Sequence, residues 1–464
     1  MTSSVVVAGV GMVPFAKPGA SVAYDEMGAA ASRMALSDAG IGYESVQQAY
    51  AGYVYGDSTA GQKAIYPLGL TGIPIINVNN NCSTGSTALF LGRQAVASGA
   101  ADCVLVLGFE QMRPGALGSI FADRPSPFED FDKVTDRLVD AKEIPLALRY
   151  FGGAGLSHMK KYGTKLETFA KVRAKASRHA KNNPLAIFRR EVTAEEVMND
   201  KVVWPGVMTR LMACPPTCGA AAAILTSEAF AKKHGLRADV RIAAQVMVTD
   251  FSSTFDTDDM MRVVGFDMAR AAANRVYEQA GVGPEDLDVA ELHDCFAQNE
   301  LITYEALSLC PDGAAEAFVE AGDNTFGGKV VTNPSGGLLS KGHARRYRPC
   351  SMLRAHAATA RPRRRHAGRR RQARTAAQSR PWRRLRGHAL QAGLKWSIAQ
   401  QLGTVLRPST PPLNRAACAI SSTRLARATH LSRHRGGESG RLCRDPDTAD
   451  LSLLPRNDGR REAV

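Results

Sequence analysis

Three short stretches carry side chains able to do nucleophilic and acid–base chemistry. In NVNNNCSTGSTAL, Asn77 to Leu89, Cys82 stands where an apolar extended run gives way to a helix of small residues. A thiol at the first turn of a helix lies near the positive end of the macrodipole, which favours its anion. The Ser, Thr and Gly that follow let a substrate approach the backbone, and N–H groups at such a turn can stabilise an oxyanion. In ELHDCFAQNE, His293, Asp294 and Cys295 close an apolar strand just ahead of another helix, and in NPSGGLLSKGH a glycine-rich turn ends in His343. Each has a plainer reading. Most free cysteines are small buried hydrophobes, a strand-end Cys/His pair can be structural, and a lone Gly-His is a weak sign.

The elements that must position these residues alternate between strand and helix. SVVVAGVGMVPF reads as a buried strand, and Tyr24 to Gly40 has helical spacing with a glycine stop. IPIINVNNN is a second strand, Ser83 to Gly99 a helix, and ADCVLVLGFEQM a third strand whose unbroken apolar run predicts cover on both faces. From about Arg113 to Arg210 the texture becomes turn-rich and then cationic, which reads as an insertion, before GAAAAILTSEAFAKKHG resumes the alternation. Ala39 to Val46, AGIGYESV, is echoed by Ala280 to Leu287, AGVGPEDL, each after an Ala-rich helix and before an apolar strand. This order predicts an internal duplication of α/β halves, with the three chemical stretches at strand ends, where such folds place ligands.

Bulk properties narrow the classes. A chain of 464 residues holds two or three domain-sized units. The N-terminus lacks the features of a signal peptide, and no run reaches the roughly 20 apolar residues of a membrane span, so a cytoplasmic protein is expected. Nine unevenly spaced cysteines form no disulfide framework, and no paired CxxC suggests a metal. The net charge of +15 is unevenly placed: Met1 to His343 carries 31 Lys and Arg against 38 Asp and Glu, whereas Ala344 to Val464 carries 28 against 6. The tail alone accounts for any appearance of a nucleic-acid binder.

Taken together, NNNCSTGSTAL, HDCF and NPSGGLLSKGH resemble the thiolase superfamily, and within it the branch related to the sterol carrier protein X thiolase, often labelled lipid-transfer proteins. The resemblance covers Met1 to His343. It implies an α/β fold, a duplicated βαβαβ unit in five α-β-α-β-α layers, with residues 1–235 as the N-terminal half, a loop domain inserted at about 113–210, and residues 236–343 as a truncated C-terminal half. It also implies a dimer acting on acyl-CoA substrates, with coenzyme A as co-substrate and no covalently bound cofactor. In the family's reaction, thiolytic cleavage of a 3-oxoacyl-CoA to acetyl-CoA or propanoyl-CoA and a shortened acyl-CoA, Cys82 would be the nucleophile. His343 would accept its proton, Cys295 would be the second acid/base, and His293 would serve the oxyanion hole. The cationic stretch Lys160 to Arg178 is a candidate for the CoA phosphates, with a solvated helix face as its alternative.

After His343 the family continues Pro-Leu-Gly-Ala-Thr-Gly, whereas this chain reads ARRYRPCSML. Codons for Ala344 to Pro349 can be chosen so that a shifted frame restores that continuation. The same shifted frame turns Gln378 to His388 into the family's glycine loop, Asn-Leu-Gly-Leu-Gly-Gly. Residues 344–464 therefore read as a frame-shifted, disordered basic tail, which would leave the sheet without its last central strand and the literal chain poorly folded. Two other readings are a retro-aldol carbon–carbon lyase, which would keep its activity without Cys82, and a nucleic-acid-binding protein using the tail, whose affinity would fall steeply with salt.

Overall fold

The computed structural model describes residues 4–113, 121, 123–342, 397–399 and 402–408. Ten strands form one mixed sheet: β1 (Val5–Met12), β2 (Gln48–Gly52), β3 (Ile75–Val78), β4 (Cys103–Glu110), then, beyond a separate hairpin of β5 (Val202–Trp204) and β6 (Met208–Thr209), β7 (Gly219–Ser227), β8 (Val240–Met247), β9 (Val289–Glu291), β10 (Val331–Thr332), β11 (Ser397–Ala399) and β12 (Leu402–Pro408). Their order is β10-β9-β11-β12-β8-β1-β7-β4-β2-β3.

Read outward from the middle, this order is one pattern used twice. In the N-terminal half β2 pairs parallel with β3 and β4, and β7 runs antiparallel to both β4 and β1. In the C-terminal half β9 pairs parallel with β10 and β11, and β12 runs antiparallel to both β11 and β8. The halves meet where Val6 pairs with Arg241. The duplication expected from AGIGYESV and AGVGPEDL is thus a duplication of strand order and direction.

Local chemistry explains the elements. The helix Tyr24–Ala39 ends at Gly40 with φ +75, and the helix Phe266–Ala280 ends at Gly281 with φ +66, so the two matching glycine stops are left-handed caps. All eight residues of β4 and all nine of β7 are buried, as their unbroken apolar runs require. Between Glu129 and Met198 the inserted stretch forms four helices, of which Leu146–Tyr162 and Leu166–Ala180 cover the C-terminal half. Phe169 and Val172 pack there with Leu292, Phe296 and Leu301, so the helix Ala297–Ala306 is buried along its whole length.

The tail differs from the sequence reading. No strand was expected after His343, yet β11 and β12 occupy the places that β4 and β7 hold in the other half. Leu402 to Pro408 runs along Met247 to Val240. The reason is that strand pairing is a backbone interaction: the open edges of β8 and β9 present unpaired N–H and C=O groups, and an extended segment of almost any sequence can satisfy them. The C-terminal half is nonetheless incomplete among the described residues, since residues 343–396 lie outside them. The rest of the expected disordered tail lies outside them too.

The sheet accepts its outer helix only because two strand positions have no side chain. A Cβ on Gly11 would lie 2.1 Å from the carbonyl oxygen of Ala31, and one on Gly9 would lie 2.3 Å from that of Ala35. Gly11→Val should therefore lower the melting temperature by roughly 1–4 °C, from an overpacking cost of about 1–3 kcal/mol. An unchanged thermal transition would contradict this packing.

Candidate active site

Cys82 sits in a single 3-10 turn, Asn81–Ser83, between β3 and the helix Thr84–Ala97. The turn is tight because Asn81 is left-handed, φ +44, a conformation that asparagine tolerates better than most residues. Side chains then lock it. Thr84 Oγ1 accepts from the Asn80 N–H at 2.7 Å and donates to the Asn81 carbonyl at 2.7 Å, Ser83 Oγ donates to the Asn80 carbonyl at 2.7 Å, and Asn80 Nδ2 donates to Thr87 Oγ1 at 3.0 Å. The Cys82 sulfur lies 3.9 Å from Asn81 Oδ1 and is half-exposed. The small hydroxyl residues that suggested close substrate approach thus also build the turn.

His293, Asp294 and Cys295 follow β9 and precede the helix Ala297–Ala306, and all three are buried. Asn299 Nδ2 donates to the His293 carbonyl at 2.6 Å. Cys295 is joined to a neighbouring segment, its carbonyl accepting from the Cys214 N–H at 2.9 Å. Burial pushes the Cys295 thiol well above its ordinary range, and the neighbouring charges of Cys214, Cys82 and Asp294 push it the same way. Cys82 and Cys295, 213 positions apart in sequence, are therefore electrostatic neighbours. A thiol held protonated in this way is suited to giving a proton before taking one.

The third stretch reaches the same place from β10. Asn333 is left-handed, φ +47, and stands one residue beyond β10. Its Oδ1 accepts from the Leu292 N–H at 2.6 Å, and its N–H donates to the Ala290 carbonyl at 2.8 Å. The turn that follows, Gly337–Ser340, corresponds in the duplicated order to the start of the helix after Cys82. The chain is described as far as Gly342, so the expected base His343 lies outside the described residues.

Part of the cationic stretch is structural, while Lys160, Lys161, Lys165 and Arg178 stay exposed. Within the helix Leu166–Ala180, Arg173 and Lys175 are buried, Lys171 pairs with Glu320 at 2.7 Å and Glu167 at 3.2 Å, and just ahead of it Lys165 pairs with Glu316 at 3.5 Å. Lys175 is fully enclosed: it pairs with Glu300 and donates to Thr332 Oγ1 at 2.6 Å and Tyr304 OH at 3.2 Å. Neither Arg173 nor Lys175 can meet a phosphate, nor do they form a solvated face. His179, on the same helix, is pushed down to about 3, first by burial and then by the charge of Lys175. As a neutral ring it bonds the Asn333 carbonyl through Nδ1 at 3.0 Å and Thr325 Oγ1 through Nε2 at 2.7 Å. Sequence reasoning missed Cys214, Lys175 and Glu300. Nothing in ACPPTC marks a site residue, and a lysine on a charged helix carries no sign of burial.

Comparison with known proteins gives this geometry its family. Residues 5–229 match the "Thiolase, N-terminal domain", and residues 250–379 match the "Thiolase C-terminal domain-like" family. The chain belongs to the thiolase family. It is 55% identical over 346 residues to sterol carrier protein 2 of Oryctolagus cuniculus, covering 73% of this chain and 62% of that protein, so it spans about three fifths of that relative's length. It is 43% identical over 347 residues to non-specific lipid-transfer protein-like 2 of Caenorhabditis elegans, covering 73% of this chain and 84% of that one. Solved structures agree on the thiolase fold. The "Ltp2-ChsH2(DUF35) aldolase" aligns with a TM-score of 0.65 at 18% identity, over 87% of this chain and 98% of its own. Human mitochondrial 3-ketoacyl-CoA thiolase in complex with CoA aligns with 0.60 at 19%, over 88% and 98%. At such identities the likeness speaks to fold alone, including that to the aldolase.

Among the described cysteines, burial pushes Cys103 and Cys310 up to about 12, whereas Cys82 is half-exposed at a turn. Iodoacetamide at pH 8 should therefore modify Cys82 before Cys103, Cys218, Cys295 and Cys310, as read by peptide mass spectrometry. Earlier modification of any of those four would contradict the site.

Proposed function

We propose that the chain is a CoA-dependent acyltransferase that cleaves 3-oxoacyl-CoA. The observation that carries this reading is that Cys82, in the N-terminal half, and Cys295, in the C-terminal half, each stand between a strand and a helix, with the charge of Cys82 among those that push the Cys295 thiol up. The Cys82 sulfur attacks the 3-keto carbon, its proton passing to His343. The C2–C3 bond breaks, the departing enolate takes a proton from Cys295 and leaves as acetyl-CoA or propanoyl-CoA, and the shortened acyl group stays on Cys82 as a thioester. A second coenzyme A, deprotonated by Cys295, then attacks the thioester and releases the shortened acyl-CoA. His293 and the N–H groups of the two turns serve the developing oxyanions. Relatives and neighbours support the class: a benzoylsuccinyl-CoA thiolase subunit of Thauera aromatica is 36% identical over 342 residues, and a thiolase in complex with CoA shares the fold.

The proposal extends to the surroundings. The inserted segment at about 113–210 covers the site as a loop domain, and the active form is a homodimer in the cytoplasm. No described helix is long and apolar enough to cross a membrane. Residues 344–464 are the product of a shifted reading frame, a reading supported by the break in charge after His343, from 31 Lys and Arg against 38 Asp and Glu to 28 against 6. Sequencing the gene across the codon for His343 tests that part directly.

The reaction is tested by CoA-dependent cleavage of a 3-oxoacyl-CoA, assayed in the chain as written and in one with the frame restored. The restored chain should be faster by at least about tenfold, because the written chain lacks the glycine loop that would complete an oxyanion hole. In the restored chain Cys82→Ser should lower kcat by about 1000-fold or more, with KM little changed. Full cleavage by that variant would overturn the acyl-enzyme and favour the retro-aldol reading.

A further inference from the structure

One acidic side chain of the HDCF motif has no part in the reaction above. Asp294 is fully buried, and both of its oxygens accept from backbone: the Leu338 N–H donates to Oδ1 at 2.7 Å and the Leu339 N–H to Oδ2 at 3.3 Å. So close an approach requires a residue without a side chain. Gly337 supplies it, at φ +60, where a Cβ would lie 1.9 Å from Asp294 Oδ2. The same turn is held from other sides. Glu291 accepts from Ser335 N–H and Oγ–H, each at 3.1 Å, Arg173 Nη1 donates to Ser340 Oγ at 2.7 Å, and the N–H groups of Ile187 and Phe188 donate to the carbonyls of Lys341 and Ser340 at 3.1 and 3.0 Å. Of these contacts, only the one from Asp294 ties the turn to the residue covalently next to Cys295.

We propose that Asp294 is the positioning residue of the site, an ionisable clamp on the 337–342 turn that holds it in register with Cys295 and loosens when it takes up a proton. The functional meaning of the clamp rests on the acyltransferase reading; the clamp itself does not. Its charge environment is enclosed. Acting on it are Arg173 and Lys175 on the helix Leu166–Ala180 and Glu300 on Ala297–Ala306, with His293 and Cys295 next to it in the chain. Burial and then the Glu300 charge push the Asp294 carboxyl up to about 7, against the pull of the Leu338 and Leu339 N–H groups and of Lys175. Lys175 is shared with Glu300, whose second oxygen has no hydrogen-bond partner among the described residues. Glu300 thus holds Lys175 directly, while Asp294 feels that lysine only through its charge and relies on the two backbone N–H groups.

The sign follows. An ionised Asp294 accepts charge-assisted bonds at both oxygens, so the clamp is firm above neutral pH and weakens as pH falls through about 7. Stability moves the other way. The folded carboxyl keeps a proton that the unfolded one releases, so stability declines as pH rises from the ordinary aspartate range toward neutrality, and is level above it.

Hydrogen–deuterium exchange on the full chain tests the clamp without requiring turnover. In the wild type, protection of the Leu338 and Leu339 amides, normalised to Ile224 and Leu225 in β7, should fall as pH is lowered from 8 to 6. At pH 8, Asp294→Ala should lower protection of both by about tenfold or more. Asp294→Asn keeps one acceptor oxygen. It should restore protection at one of the two amides and abolish the pH dependence, which a merely structural loss would not do. Protection that is independent of pH and equal in wild type and Asp294→Asn would overturn the clamp, whether or not the chain cleaves 3-oxoacyl-CoA. Protection that follows pH, together with an absence of thiolytic activity in the frame-restored chain, would support the clamp and sink the acyltransferase reading instead.

Discussion

The site depends on a corner made twice. At the end of β3 and again at the end of β10 the chain leaves the sheet through a left-handed asparagine, Asn81 with φ +44 and Asn333 with φ +47. A non-glycine residue in that conformation costs on the order of 1 kcal/mol and persists only where its surroundings enforce it. Here they do. Thr84, Ser83 and Asn80 close the first corner with short side-chain bonds, while Leu292, Ala290 and His179 hold the second. Each corner stands at the point where a helical segment follows, and the two hold matching places in the duplicated strand order of the halves.

Around that pair of corners the interior is unusually ionic. Lys175, Glu300, Tyr304 and Thr332 form a closed network, with Asp294 and Arg173 beside it. A buried ion pair gains little over a well-packed apolar core, but removing one partner typically costs about 3–5 kcal/mol, so such a network fixes geometry more than it adds stability. Its members come from the inserted helices, from the helix after Cys295 and from β10, three elements that must keep their places if the cysteines and the 337–342 turn are to meet. The helices between Leu146 and Ala180 are therefore part of the frame that holds the HDCF segment and the turn.

Much of this was legible in the sequence. Glycine stops at Gly40 and Gly281, the apolar runs of β4 and β7 and the small-residue helix after Cys82 each follow from local chemistry, and the elements sit where that chemistry put them. Cys82 could be singled out because a thiol at a strand-to-helix corner is an uncommon placement, and it was the resemblance of its motif to thiolases that made it the candidate nucleophile. The buried ion pair could not be read, since Lys175 lies in a stretch rich in lysine and arginine whose partners stand more than a hundred residues away. The strands of the tail were equally hidden, because an open sheet edge recruits backbone and leaves no mark on side-chain pattern. Asp294 was visible as a letter in HDCF, but its task appears only beside Gly337.

The central claim is that the thiols of Cys82 and Cys295 face each other across the two halves. Cross-linking with 1,3-dibromoacetone, followed by peptide mapping, tests it most directly. The account predicts that the first alkylation falls on Cys82 and that the bridge closes on Cys295, joining the Asn77–Leu89 and Glu291–Glu300 peptides. Efficient alkylation of Cys82 with the bridge closing elsewhere, or not at all, would contradict it.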